Sequence, residues 1–88
     1  MMLATEVRMT SREIAELTGK EHKNVKRDVE KMLSELYPGD VLNFERIYVD
    51  SMNRQQTEFN LDRLHVECLL MGYSATLRMK VLRRLHEL

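Results

Sequence analysis

The apolar positions of this 88-residue chain change rhythm several times, and each change marks an element. Leu3, Thr5 and Val7 alternate, as in a short edge strand. Thr10 then sits three residues before Glu13, the offset of a capping box, and Ile14, Ala15 and Leu17 follow before Gly19 stops a short helix. A second helix is expected from Lys20 or Glu21 to about Leu36. Val25, Val29, Met32, Leu33 and Leu36 recur on one helical face, and Pro38-Gly39 breaks the pattern. From Asn43 to Asp50 the chain is rich in β-formers, Met52 to Gln55 is a polar tip, and Thr57 to Leu61 returns as a second strand. Asp62 caps a helix that Gly72 ends, and Ser74 starts a last one.

Helix, helix, hairpin, helix, helix is the order this predicts. The expected fold class is α+β and mostly helical: a winged helix-turn-helix with a two-stranded wing and a C-terminal helix, in one domain over residues 1–88. Four residues carry the helix-turn-helix expectation. Ala15 is small where two helices would cross, Gly19 accepts the positive φ a tight turn needs, and Val25 and Val29 anchor the second helix.

With Val25 at zero and about 100° per residue, the face opposite the apolar stripe carries Lys23, Arg27 and Lys31. Lys20 and Asn24 lie beside them, and His22 and Lys26 flank the face. Such an array suits the major groove of double-stranded DNA, where Arg bonds guanine edges, Asn bonds adenine and Lys takes phosphate or guanine. Lys23, Asn24 and Arg27 are the candidates for base contacts, and Lys20, Lys26 and Lys31 for phosphates. Ser11 and Arg12 are expected to meet the DNA backbone from the start of the preceding helix, and Arg54 to reach phosphate or the minor groove from the wing tip. The competing reading is a solvated helix face stitched by local charge pairs.

Charge complicates this picture, because 14 basic residues balance 14 acidic ones. The balance is uneven along the chain. Residues 37–62 carry two basic against five acidic side chains, and residues 63–88 carry five against two. Local fields therefore do the steering, and non-specific attraction to phosphate is expected to be weaker than for a strongly basic domain. The acidic wing also favours a rival from another class, a protein-interaction module that binds a repressor or host protein. No apolar run is long enough to span a membrane and no leader pattern opens the chain, so a cytoplasmic protein is expected. The single cysteine, Cys68, forms no internal disulfide and is expected to be a buried thiol.

Other chemistry is poorly supported. His65 and Cys68 share a helix face and His86 is a conceivable third ligand, but no fourth is at hand, so neither metal nor cofactor is expected. There is no nucleophile elbow, paired base or phosphate-cradling loop, and no enzyme is expected. The methionines that fall at helical core spacing, such as Met32, are expected to fill the core. Leu77, Val81, Leu85 and Leu88 form a seam that a monomer would bury against its own core and a homodimer would pair with a second copy. The dimer is preferred, since palindromic operators suit two-fold regulators.

The run Thr10-Ser-Arg-Glu-Ile-Ala-Glu-Leu-Thr-Gly and its continuation to Val29 resemble the phage regulatory protein Rha family, also seen at the N-terminus of some phage antirepressors. The likeness extends through Tyr48 to Leu61 and through the Gly72-Tyr ending to Leu88. It implies a prophage-encoded regulator with a DNA-binding N-terminal domain, either complete or the first part of a longer protein, and carries over no catalytic residue. One departure lies at the wing tip, where Met52-Asn53 stands in place of a glycine-containing turn.

Overall fold

A computed structural model describes residues 6–88. The chain runs β1 (Arg8–Thr10), α1 (Ser11–Thr18), α2 (His22–Leu36), a 3-10 turn (Val41–Phe44), β2 (Glu45–Val49), β3 (Gln55–Asp62), α3 (Arg63–Leu70) and α4 (Ala75–Glu87). The architecture is α+β, compatible with a winged helix.

Caps account for most of the boundaries. The Thr10 hydroxyl accepts from the Glu13 N–H at 3.2 Å and starts α1. The other half of the expected box does not form: the Glu13 carboxylate accepts from Arg84 Nε at 3.1 Å, joining α1 to α4. Gly19 ends α1 at φ 77°, and its N–H donates to the Ala15 carbonyl. This left-handed position is one where a Cβ would be strained. Asp62 and Ser74 cap α3 and α4 as their sequence positions imply. Between those helices Arg78 donates to the carbonyls of Leu70 and Tyr73, at 3.1 and 3.0 Å, satisfying backbone acceptors at the corner.

Among the described residues the sheet has three strands, not two, in the order β1-β3-β2 and antiparallel throughout. The extra strand is β1, pairing Arg8 with Asp62 and Thr10 with Asn60. It is not the strand expected over Leu3, Thr5 and Val7: Val7 lies outside β1, and Leu3 and Thr5 lie outside the described residues. Asn43 and Phe44, expected in a strand, belong to the 3-10 turn. The hairpin turns at residues 51–53. Asn53 adopts φ 60° there, the left-handed conformation that a short polar side chain tolerates best after glycine. The Asp50 carboxylate fixes this turn by accepting from the N–H groups of Met52 and Arg54, both at 2.9 Å.

One core draws on every helix and on two strands: Met9, Ile14, Ala15, Val25, Val29, Leu33, Phe59, Leu61, Val66, Leu69, Leu70, Tyr73, Val81 and Leu85. Fully burying an aliphatic side chain of this size contributes about 1.5–3 kcal/mol. Three expectations change here. Val81 and Leu85 are fully buried in this core and Leu77 packs against it, so these three seam residues serve their own chain. Of the four seam residues only Leu88 is exposed. Leu36 also lies open, because α2 continues one turn past the core edge at Leu33. Cys68 is exposed rather than buried, since Val66, Leu69 and Leu70 form the inner face of α3. Among the methionines, Met9 is buried and Met32 packs on the core, while Met52, Met71 and Met79 face solvent. No helix among the described residues is long and apolar enough to cross a membrane.

Candidate nucleic-acid interface

Helix α2 separates its faces cleanly. Val25, Val29 and Leu33 are fully buried, and Lys23, Arg27 and Lys31 stand exposed on the other side. Lys23 has its side chain 78% exposed, with Nζ 3.4 Å from the Glu21 carboxylate. Arg27 donates to the amide oxygen of Asn24, one turn back, which orients the guanidinium along the helix and leaves the Asn24 amino group available. Lys20 lies just before α2, its Nζ 4.0 Å from Asp28 and 4.9 Å from the centre of the Tyr73 ring. Burial, then the hydrogen bond to Asp28 at 3.0 Å and its negative charge, push the Tyr73 hydroxyl well above its usual range. Tyr73 therefore remains a neutral donor that ties α2 to the α3–α4 corner.

The wing lies against the flank of the same helix. Lys26 Nζ donates to Thr57 Oγ1 on β3 at 2.6 Å, so Lys26 links helix and wing instead of standing free for phosphate. His22 opens α2, and its Nε2 lies 2.8 Å from Ser11 Oγ. Ser11 is fully buried and accepts the Phe59 N–H at 2.9 Å, which directs its own proton to the imidazole. Burial of His22, with Lys26 and Arg12 nearby, lowers the imidazole below its ordinary value against the opposing pull of Glu58. Ser11 is thus an interior joint between α1, α2 and β3, and the expectation that it meets the DNA backbone is corrected: its hydroxyl is enclosed and already paired.

Arg12 lies over the Tyr48 ring, 3.8 Å from its centre, with Nη1 3.6 Å from the Glu58 carboxylate. At the wing tip Arg54 Nε donates to Asp50 at 3.1 Å, yet its side chain stays 64% exposed. The Arg54 backbone N–H, the Gln56 amide, the Met52 N–H and the Arg54 charge together hold the Asp50 carboxyl below the usual carboxylate range. Arg54 is oriented by this pairing but brings little net charge to the tip. On α3, His65 is engaged by Asp62 and by the Tyr37 hydroxyl, the latter at 2.7 Å.

Arg46, Tyr48, Thr57 and Glu58 complete the surface and were not singled out from sequence. The missed signal is register. A turn centred on Met52 pairs Arg46 with Glu58, an opposite-charge cross-strand pair, whereas a tip at 52–55 would set Arg46 opposite Leu61 and Glu58 opposite Val49.

The element order, the three-stranded sheet and one exposed cationic helix face beside the hairpin define a small α+β domain compatible with a winged helix. The chain belongs to the phage regulatory protein Rha family, whose model matches residues 9–88, and so has a phage regulatory role. Searches of curated proteins and of solved structures returned no match.

Proposed function

We propose that this protein regulates phage genes, without catalysis, by binding double-stranded DNA with α2 in the major groove and the wing beside it. The observation that carries this reading is the outer face of α2. Lys23, Arg27 and Lys31 are exposed in line opposite a fully buried stripe, with the Asn24 amide between them. Arg27 and Asn24 provide the forked donors and amide group that read base edges, and Lys20, Lys23 and Lys31 provide cations for phosphate. Arg12 and Arg54 flank the helix from α1 and from the wing.

Salt dependence tests the reading. Each phosphate neutralised releases condensed counterions, so about four contacts give a log–log slope of roughly −4 for affinity against salt. Lys23→Glu is expected to abolish binding, because it places a carboxylate against phosphate at an exposed position where folding is not at stake. A flat salt response, or a Lys23→Glu protein that binds DNA as wild type does, overturns the proposal.

A second reading has its own support. Ile47, Val49 and Met52 are 65%, 59% and 70% exposed on the hairpin, an apolar surface more typical of a protein contact than of a DNA contact. On this reading the domain is an antirepressor-like module that grips a repressor or host protein. Its binding would respond far less to salt and would survive Lys23→Glu.

A further inference from the structure

Glu58 is a carboxylate with only 2% of its side chain exposed, in a region where every other fully buried large side chain is apolar. A charge taken out of water is costly unless it is paired with good geometry. Glu58 has two partners from different elements: Arg46 Nε of β2 at 2.7 Å on one oxygen, and Arg12 Nη1 of α1 at 3.6 Å on the other. Neither guanidinium is buried with it. The two side chains are 56% and 43% exposed, and among the described residues neither has a further hydrogen-bond acceptor. Each guanidinium offers five donors in a fixed fork, so Glu58 leaves most of this donor set unpaired. Two cations on one anion leave the joint with a net positive charge.

The joint is rigid. Arg12 lies on the Tyr48 ring, and the adjacent Ser11 holds the Phe59 N–H, so two neighbouring residues of α1 grip two neighbouring residues of β3. It also borders α2, since Tyr48 lies 6.4 Å from the His22 ring and Thr57, next to Glu58, receives Lys26.

We propose that Arg12 and Arg46 form a second phosphate-binding site, separate from the outer face of α2, and that Glu58 is its positioning residue. The buried carboxylate holds one nitrogen of each guanidinium near one of its two oxygens, and both arginine side chains stay partly exposed. A phosphodiester, itself an anion with two exposed oxygens, fits the remaining donors of the pair. This inference rests on the DNA-binding reading above and adds the contact that would fix the wing on the backbone.

The test uses the full chain and a mixed-sequence DNA duplex, titrated at several salt concentrations. Arg46→Ala and Arg12→Ala are each expected to flatten the salt slope by up to about one unit, and the double variant by no more than about one, because they share a phosphate. Glu58→Gln separates positioning from simple charge. It makes the surface more positive, so a carboxylate that merely diluted the arginines would predict tighter binding. A positioning carboxylate predicts the reverse, about tenfold weaker binding, roughly the loss of one charge-assisted contact. Arg46→Lys keeps charge and exposure but loses the fork, and is expected to behave like Arg46→Ala. It supplies the answer even if Glu58→Gln fails to fold. Wild-type affinity in Arg46→Lys, or unchanged or tighter binding in Glu58→Gln, overturns the proposal. If Lys23→Glu abolishes binding while the Arg12 and Arg46 variants leave the slope intact, the clamp fails and the DNA reading stands. If wild type itself shows no salt response, both fall.

Discussion

Ser11 and His22 show how single side chains hold this surface together. Removing the Ser11 hydroxyl leaves the buried Phe59 N–H without its acceptor and the His22 ring without its donor. Ser11→Ala is therefore expected to cost about 1–3 kcal/mol of stability, the penalty for an unsatisfied buried group, measured by urea unfolding. A variant as stable as wild type would return Ser11 to the exposed role expected from sequence. His22 adds a pH dependence of known sign. Its folded pKa lies below the ordinary 6.5, through burial first and then the charges of Lys26 and Arg12. Above that value the ring is neutral in both states and contributes no pH dependence. As pH falls below it the unfolded chain takes up the proton first, so stability declines until the folded pKa is reached. Unfolding free energy should fall across this window in wild type and decline less in His22→Asn. Equal slopes for the two proteins would contradict the assignment.

Among the elements, α4 and the hairpin depart furthest from what their sequences suggest alone. The leucine and valine spacing in α4 fits a coiled-coil seam as well as a core face. The fold resolves it by packing Val81 and Leu85 against α1 and α3, with Arg84 bonded to Glu13 beside them. Val81→Glu is accordingly expected to unfold the protein instead of yielding a folded monomer. An uncompensated buried charge costs about 3–5 kcal/mol, comparable to the whole stability of a small domain. Met79→Glu, on the exposed side of the same helix, should leave the circular dichroism spectrum and melting unchanged. A natively folded Val81→Glu protein would reopen the dimer seam. The hairpin turned on a smaller matter: the tip lies at 51–53 because Asp50 organises it, and that placement alone brings Arg46 opposite Glu58.

At the scale of the molecule, the core forms one cluster to which β1, β3 and all four helices contribute. Among the described residues no element has a separate apolar interior, so local unfolding that spares the rest has little to sustain it. Thermal unfolding is expected to be one cooperative transition. Tyrosine fluorescence, reporting on the buried Tyr73, the partly buried Tyr48 and the exposed Tyr37, should coincide with far-ultraviolet dichroism, which reports the helices. Separate midpoints would show that the wing melts independently of the helical core. The arrangement also ties function to stability, because Ser11, His22, Lys26 and Glu58 join the candidate DNA surface to this core.

The sequence by itself determined the helices, their caps, the turn at Gly19 and the cationic face of α2. Each depends on short-range periodicity or on contacts within a few residues, which a linear chain displays directly. Thr10, Asp62 and Ser74 cap as their offsets imply, and Val25 and Val29 point inward because Lys23 and Arg27 cannot. The family likeness was legible for the same reason, in unbroken runs of residues. Only the tertiary structure decided which apolar faces were already covered, where Glu13 reached, and which polar groups became joints. Ser11 with Phe59, Lys26 with Thr57 and Arg12 with Glu58 are separated by 31 to 48 residues. Whether such a side chain meets solvent, DNA or its own fold depends on what the rest of the chain brings against it, and no local pattern records that.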